Sequence, residues 1–144
     1  MRLTIAIIMM FCASQVWAGN VVVSNASARA TAPGQENAAI QFTIASKKKA
    51  RLVAITSPIA SAVEIHSMSH EDGMMKMRAL EFLALPAGKK VRLGKSGNHV
   101  MLLDIKKPLK AGDIVPLTIS VAFDDKSKEQ IQVNAEVKSL TRRH

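Results

Sequence analysis

Residues 38–56 read AAIQFTIASKKKARLVAIT and show the secondary-structure pattern of the chain clearly. Apolar and polar side chains alternate toward the end of residues 38–44, and Ser57-Pro58 ends the β-branched run at residues 51–56. Alternation predicts a strand, because successive side chains of a strand point to opposite faces. The three lysines between the two runs are typical of a solvated turn. The stretch therefore predicts two short strands.

The same pattern continues along the chain. Short β-branched runs are separated by Gly, Pro, Lys and Asp clusters at about ten-residue spacing, which favours an antiparallel sandwich or barrel. No run of helical periodicity is long enough to compete. The further predicted strands are residues 21–30, 62–68, 74–80, 90–93, 99–105, 114–123 and 130–137. We therefore predict one all-β domain.

The first eighteen residues are predicted to be a secretory signal peptide. Arg2 is followed by an apolar run over residues 3–11, which is too short to be a transmembrane helix. Residues 16–18, Val-Trp-Ala, then offer a cleavage site. This arrangement indicates export, and we expect the protein in the periplasm.

A lipid-anchored form is the alternative, because Cys12 lies in the leader. Residues 10–11, Met-Phe, are not the small residues that a lipoprotein cleavage site requires. We therefore expect ordinary cleavage before Gly19. The predicted β-domain then covers residues 19–139, and residues 140–144 form a short basic tail.

Cleavage would remove the only cysteine and the only tryptophan of the chain. The mature domain would have no disulfide, so its core alone must stabilise it. Of the 20 Lys and Arg residues only Arg2 would be lost, and with 11 Asp and Glu this leaves a net charge of +8. This charge favours an acidic partner or an anionic membrane surface. Nucleic acid is a poor fit, since the chain is exported and only Phe42, Phe82 and Phe123 remain for base stacking.

Methionine and histidine are concentrated in one part of the chain. Beyond the leader, all five methionines and three of the four histidines lie within residues 66–101. An ordinary core would not keep methionine out of every other strand. Soft, uncharged thioether sulfur suits Cu(I) and gives little to Zn²⁺, Mg²⁺ or Ca²⁺. Imidazole adds a firmer donor that must be neutral to bind. A blue-copper or dinuclear electron-transfer centre is excluded, because each requires a cysteine thiolate.

Three pairs of these residues are spaced two apart, so that each pair shares one face of its predicted strand. Facing pairs on neighbouring strands can converge on one small ion. The pairs are His66 with Met68, Met75 with Met77, and His99 with Met101.

A structural role is the alternative for each residue taken singly, since methionine often fills gaps in a core. Met74 points away from Met75 and is predicted to be core filler. For Met68 and His70 the alternative is that they are only exposed loop residues beside the site. His144, on the tail, is expected to have no role.

The spacing of the motif carries a family resemblance. Read from Ile65, the chain runs IHSMSHEDGMMKMRAL and later LPAGKKVRLGKSGNHVMLLDI. Ten residues separate His66 from Met77, twenty-one separate Met77 from His99, and Met101 follows after one more. This pattern resembles the hallmark of periplasmic copper chaperones of the PCuAC type, and a weaker likeness extends to the N-terminal part of the mature chain.

The resemblance implies a cupredoxin-like Greek-key sandwich or barrel. It also implies four Cu(I) ligands, which are His66, Met77, His99 and Met101. Some relatives have methionine directly after the first histidine, where this chain has Ser67, and Met68 and His70 are auxiliary candidates. Some relatives carry a His- and Met-rich C-terminal extension with a Cu(II) site, which His144 alone would not provide.

The family role is delivery of Cu(I) toward the copper centres of respiratory haem–copper oxidases, without substrate turnover. The expected partner is a copper-accepting oxidase subunit or a thiol-bearing assembly factor. A periplasmic copper-tolerance buffer would use the same site without a docking partner. An envelope interaction domain without metal is a third hypothesis, and the ligand spacing argues against it.

Overall fold

Ten strands form the fold in a computed structural model that describes residues 19–94 and 97–139. All nine predicted strands are present, and the described residues contain no helix. The strands are β1 (Val21–Arg29), β2 (Ala38–Ser46), β3 (Ala50–Thr56), β4 (Ala60–Glu71), β5 (Met74–Leu80), β6 (Leu83–Leu85), β7 (Lys90–Leu93), β8 (Asn98–Ile105), β9 (Ile114–Phe123) and β10 (Lys128–Lys138). The all-β prediction is confirmed, and the three-residue β6 is an addition to it.

The predicted signal peptide and the predicted tail lie outside the described residues. Within the described part of the chain, no helix is long and apolar enough to cross a membrane.

The strands form one sheet in the order β5-β4-β8-β2-β1-β10-β9-β3-β6, and β7 also pairs with β2. The pairs between named strands are antiparallel except that of β1 with β10, which is parallel. One core cluster collects residues from near both ends of this order, Ile65 of β4 and Leu52 of β3 among them. The sheet therefore curls around a single core.

Alternation puts every second residue of β2 into that core. Ile40 and Ile44 are fully buried, whereas Gln41 and Thr43 between them are only partly buried. β8 behaves in the same way, since Val100 is fully buried. Each strand therefore presents one set of side chains to the core and the other set to the outer face of the sheet.

A tight hairpin joins β4 to β5 at one edge of the sheet. Asp72 and Gly73 connect the strands with φ angles of 51° and 74°, which fits the two-residue turn typical of such hairpins. Glu71 lies directly opposite Met74, and the pairing continues without a shift to Ile65 and Leu80. The turn therefore fixes which residues of the two strands face each other.

Candidate metal centre

Strand β8 contributes two of the candidate ligands, on the face of the strand that points away from the core. Val100 and Leu102 are fully buried, so His99 and Met101, which alternate with them, lie on the outer face of the sheet. Both side chains are only partly buried. The core packing of this strand therefore holds an imidazole and a thioether side by side on one surface.

The neighbouring strand β4 supplies the second histidine. His66 lies directly opposite His99, and Glu64 lies directly opposite Met101. Ile65 between them is 5% exposed and points into the core. His66 and Glu64 therefore share the outer face with His99 and Met101.

The edge strand β5 completes the group. Met77 lies directly opposite Met68 of β4, which is two residues beyond His66 and on the same face. Met77, His99 and Met101 line one surface depression, whose rim includes Arg29 and Gln41. Met77 of β5 therefore lies near His99 and Met101 of β8, although β4 separates the two strands in the sheet.

His66 is partly buried and contacts a carboxylate on its own strand. Its side chain is 16% exposed, and its Nε2 atom lies 2.7 Å from Glu64 Oε2. The ionised carboxylate only accepts hydrogen bonds, so Nε2 carries the proton. The Nδ1 atom is buried and has no hydrogen-bond partner among the described residues.

An unpartnered buried nitrogen destabilises a fold by about 1–3 kcal/mol, so the free lone pair of Nδ1 calls for an explanation. In metal sites the ligating histidine donates its other ring N–H to a carboxylate or carbonyl, which fixes the tautomer and ring orientation. The contact between Glu64 and His66 has this form. This contact leaves Nδ1 as the ring nitrogen available to a metal ion, although His66 is not among the residues that line the depression.

Gly94 shapes the wall of the depression before β8. Its φ angle is 151°, and a Cβ atom there would lie 2.7 Å from Gln41 Cγ. Its amide donates a hydrogen bond of 2.9 Å to the carbonyl of Asn98. Glycine thus allows the chain to close tightly against β2 just before His99.

A comparison of sequence profiles assigns the family. The profile described as "Putative lipoprotein LpqE-like" matches residues 21–137. The chain belongs to the LpqE-like family. A relative from Leifsonia xyli subsp. xyli, named "Putative lipoprotein Lxx21020", is 31% identical over 117 residues, which cover 81% of this chain and 69% of the relative.

Solved structures share the fold of this LpqE-like chain. The solution structure of CuI-DR1885 from Deinococcus radiodurans is 29% identical with a TM-score of 0.63, covering 88% of this chain and 83% of that one. The apo PCuAC domain of PmoF2 has a TM-score of 0.68 at 20% identity, covering 88% and 95%. The predicted PCuAC resemblance and cupredoxin-like fold are confirmed.

The donors gathered in this LpqE-like chain are two imidazole nitrogens and two thioether sulfurs. Within residues 19–94 and 97–139, no three His, Cys, Asp or Glu side chains lie close enough to hold a metal ion. Met77 and Met101 share the outer face of the sheet with the two histidines. Such a soft, uncharged set suits Cu(I).

One prediction about a neighbouring residue is wrong, and one alternative is not supported. Met74 is 66% exposed rather than core filler, because β5 is an edge strand that extends past the core and is exposed along nearly all its length. Met68 and His70 lie within β4 and not in a loop. The Asp72-Gly73 dipeptide, a strong hairpin signal, indicates this longer strand.

Glu64 is the contact residue that sequence reasoning missed. It precedes His66 by two positions, so the strand alternation that pairs His66 with Met68 also places Glu64 on that face. A carboxylate at that spacing was the available signal.

Proposed function

We propose that this chain is an exported copper carrier that binds one Cu(I) ion through His66, Met77, His99 and Met101. The observation that carries the proposal is the convergence of these side chains on one face, together with the unpartnered Nδ1 of His66. The name of the Deinococcus structure includes Cu(I), which supports the choice of metal. The site binds and releases the ion without chemical turnover.

The proposed ligands are exposed enough for a partner protein to reach bound Cu(I). Met77 is 57% exposed on the edge strand, and a neutral ligand set leaves bound Cu(I) with a net charge of +1. The ligands of a partner can approach from the β5 side and replace the methionines one at a time. A thiol-bearing assembly factor would hold Cu(I) more firmly, because thiolate is the stronger soft ligand.

The proposed recipient is a copper centre of a respiratory haem–copper oxidase, reached directly or through such a factor. The full chain has a formal net charge of +9, and its positive surface would speed encounter with an acidic partner or an anionic membrane. The proposed site of action is the periplasm, after cleavage before Gly19. The domain proper is residues 19–139.

A deletion strain grown with scarce copper tests the delivery role. We expect loss of oxidase activity that added copper restores. A strain that keeps full oxidase activity but becomes sensitive to excess copper would instead support a tolerance buffer. Complementation with the Met101→Leu variant should fail, and complementation with Met74→Leu should succeed.

A further inference from the structure

The β4–β5 hairpin has two chemically different faces. Glu71, Lys76 and Arg78 form ion pairs on one face, with N–O distances of 3.2 Å for Lys76 and 3.5 Å for Arg78. The other face carries soft-metal donors along its length. These donors are His66, Met68 and His70 on β4 and Met75 and Met77 on β5.

The inner site needs only His66 and Met77 from this hairpin face, so it does not explain why the face also carries Met68, His70 and Met75. Met75 is 58% exposed and His70 is exposed as well, so neither residue is held there by core packing. Exposed methionine gains little from the hydrophobic effect, and methionine is not among the residues that edge strands favour. The outer half of the face therefore has a composition that folding does not require.

The strand register places the outer donors within reach of one ion. His70 lies directly opposite Met75, and Met68 is two residues from His70 on the same face. Directly opposite residues have Cβ atoms about 4.5–5.5 Å apart, and residues two apart on a strand are separated by roughly 6.6 Å. Side chains as long as methionine and histidine can close these gaps around a single soft cation.

We propose that Met68, His70 and Met75 form a second, outer site for Cu(I), weaker and more exposed than the inner one. Met68 lies directly opposite Met77, so the two sites are adjacent along the hairpin. An ion could pass inward by gaining a bond to the Met77 sulfur as its bond to His70 breaks, with no change in oxidation state. The binding site is independent of the proposed function, whereas this exchange role rests on it.

Methyl NMR of the methionines during titration with Ag(I), a redox-inert analogue of Cu(I), tests the proposal. The first equivalent should shift the methyl signals of Met77 and Met101. The second equivalent should shift Met68 and Met75. Met74, adjacent to Met75 but on the opposite face, should not move in either phase.

Two variants separate the sites. His70→Gln with Met75→Leu should abolish the second phase and leave the first, because the inner donors are intact. His99→Gln with Met101→Leu should abolish the first phase and leave shifts of Met68 and Met75. Failure of the first phase in the unmodified protein would count against the proposed function, not the outer site.

The outer site is wrong if the second equivalent leaves Met68 and Met75 unshifted. It is equally wrong if Met74 shifts as much as Met75, since that would show nonspecific binding to exposed sulfur. If one equivalent of Ag(I) completes the shifts of Met68, Met75, Met77 and Met101 together, the hairpin and β8 form a single extended site and the proposal of two sites is wrong.

Discussion

At the scale of single residues, Glu64 links the local geometry to the proposed chemistry. Its carboxylate accepts the hydrogen bond from His66 Nε2 at 2.7 Å, and this leaves Nδ1 as the free nitrogen. The carboxylate is itself partly exposed, at 43%, so it can be replaced without opening the core. Glu64 would therefore orient a ligand without touching the metal.

Replacing Glu64 by Ala should lower Cu(I) affinity roughly 10–100-fold, the usual effect of losing a partner of a ligating histidine. Fold stability should change little. Glu64→Gln, which keeps an acceptor oxygen, should recover part of the loss. Nitrogen-15 NMR of the His66 ring should show the proton on Nε2 in the unmodified protein and a mixture of tautomers in Glu64→Ala.

Glu71→Ala on the opposite hairpin face is the matched control for Glu64→Ala. Its carboxylate pairs with Lys76 and Arg78 and should not affect copper. Unchanged affinity in Glu64→Ala would show that the contact with His66 has no role in binding.

At the scale of elements, the core-facing alternation of β4 and β8 positions the site, and Gly94 lines its depression. Gly94 is a critical position, because a Cβ atom there would clash with Gln41 and the backbone has a φ angle that other residues rarely adopt. Gly34 has a φ angle of 81° and open space around it. The two glycines therefore separate backbone strain from crowding.

Gly94→Ala should lower the free energy of unfolding by about 2–3 kcal/mol, because overpacking against Gln41 adds to backbone strain, and should weaken copper binding. Gly34→Ala should cost only about 1 kcal/mol, from the positive φ angle alone, and leave copper binding unchanged. Adding Gln41→Ala to Gly94→Ala should recover part of the stability. Chemical denaturation of the unmodified protein, Gly94→Ala, Gln41→Ala and their double variant measures this coupling. Equal losses in Gly94→Ala and Gly34→Ala would contradict the crowding argument.

The elements also show how far the sequence could predict the fold. β2 was predicted from the alternation of apolar and polar residues and β9 from its β-branched run, and burial alternates along both strands. β6 was missed because three residues are too few to show a period. The parallel pairing of β1 with β10 was also missed, since it joins segments far apart in the chain and no local pattern encodes it.

Prediction of the candidate site had a similar limit. Spacing alone placed His99 beside Met101 and His66 beside Met68, because a period of two is local. Which strand faces which is decided by the sheet order, and the spacing does not contain it. The hydrogen bond from His66 to Glu64 depends on side-chain rotamers, which the sequence does not specify.

At the scale of the whole molecule, the predicted cleavage and the basic charge bear on where the proposed carrier would act. We expect the exported protein to begin at Gly19, with neither Cys12 nor an attached lipid. Intact mass spectrometry of the exported form measures this directly. A mass that includes Cys12 with added acyl groups would contradict the prediction and agree with the lipoprotein in the family's description.

In the proposed function, specific methionines on one face of the sheet bind Cu(I). Competition with a chromophoric Cu(I) chelator tests this, applied to the unmodified protein and to Met77→Leu, Met101→Leu and Met74→Leu. Leucine keeps the approximate volume of methionine, so folding should survive in all three variants. We predict one tightly bound Cu(I) per chain, at least about tenfold weaker binding in Met77→Leu and Met101→Leu, and no change in Met74→Leu. Equal losses in Met74→Leu and Met77→Leu, or no loss in Met77→Leu and Met101→Leu, would contradict the assignment.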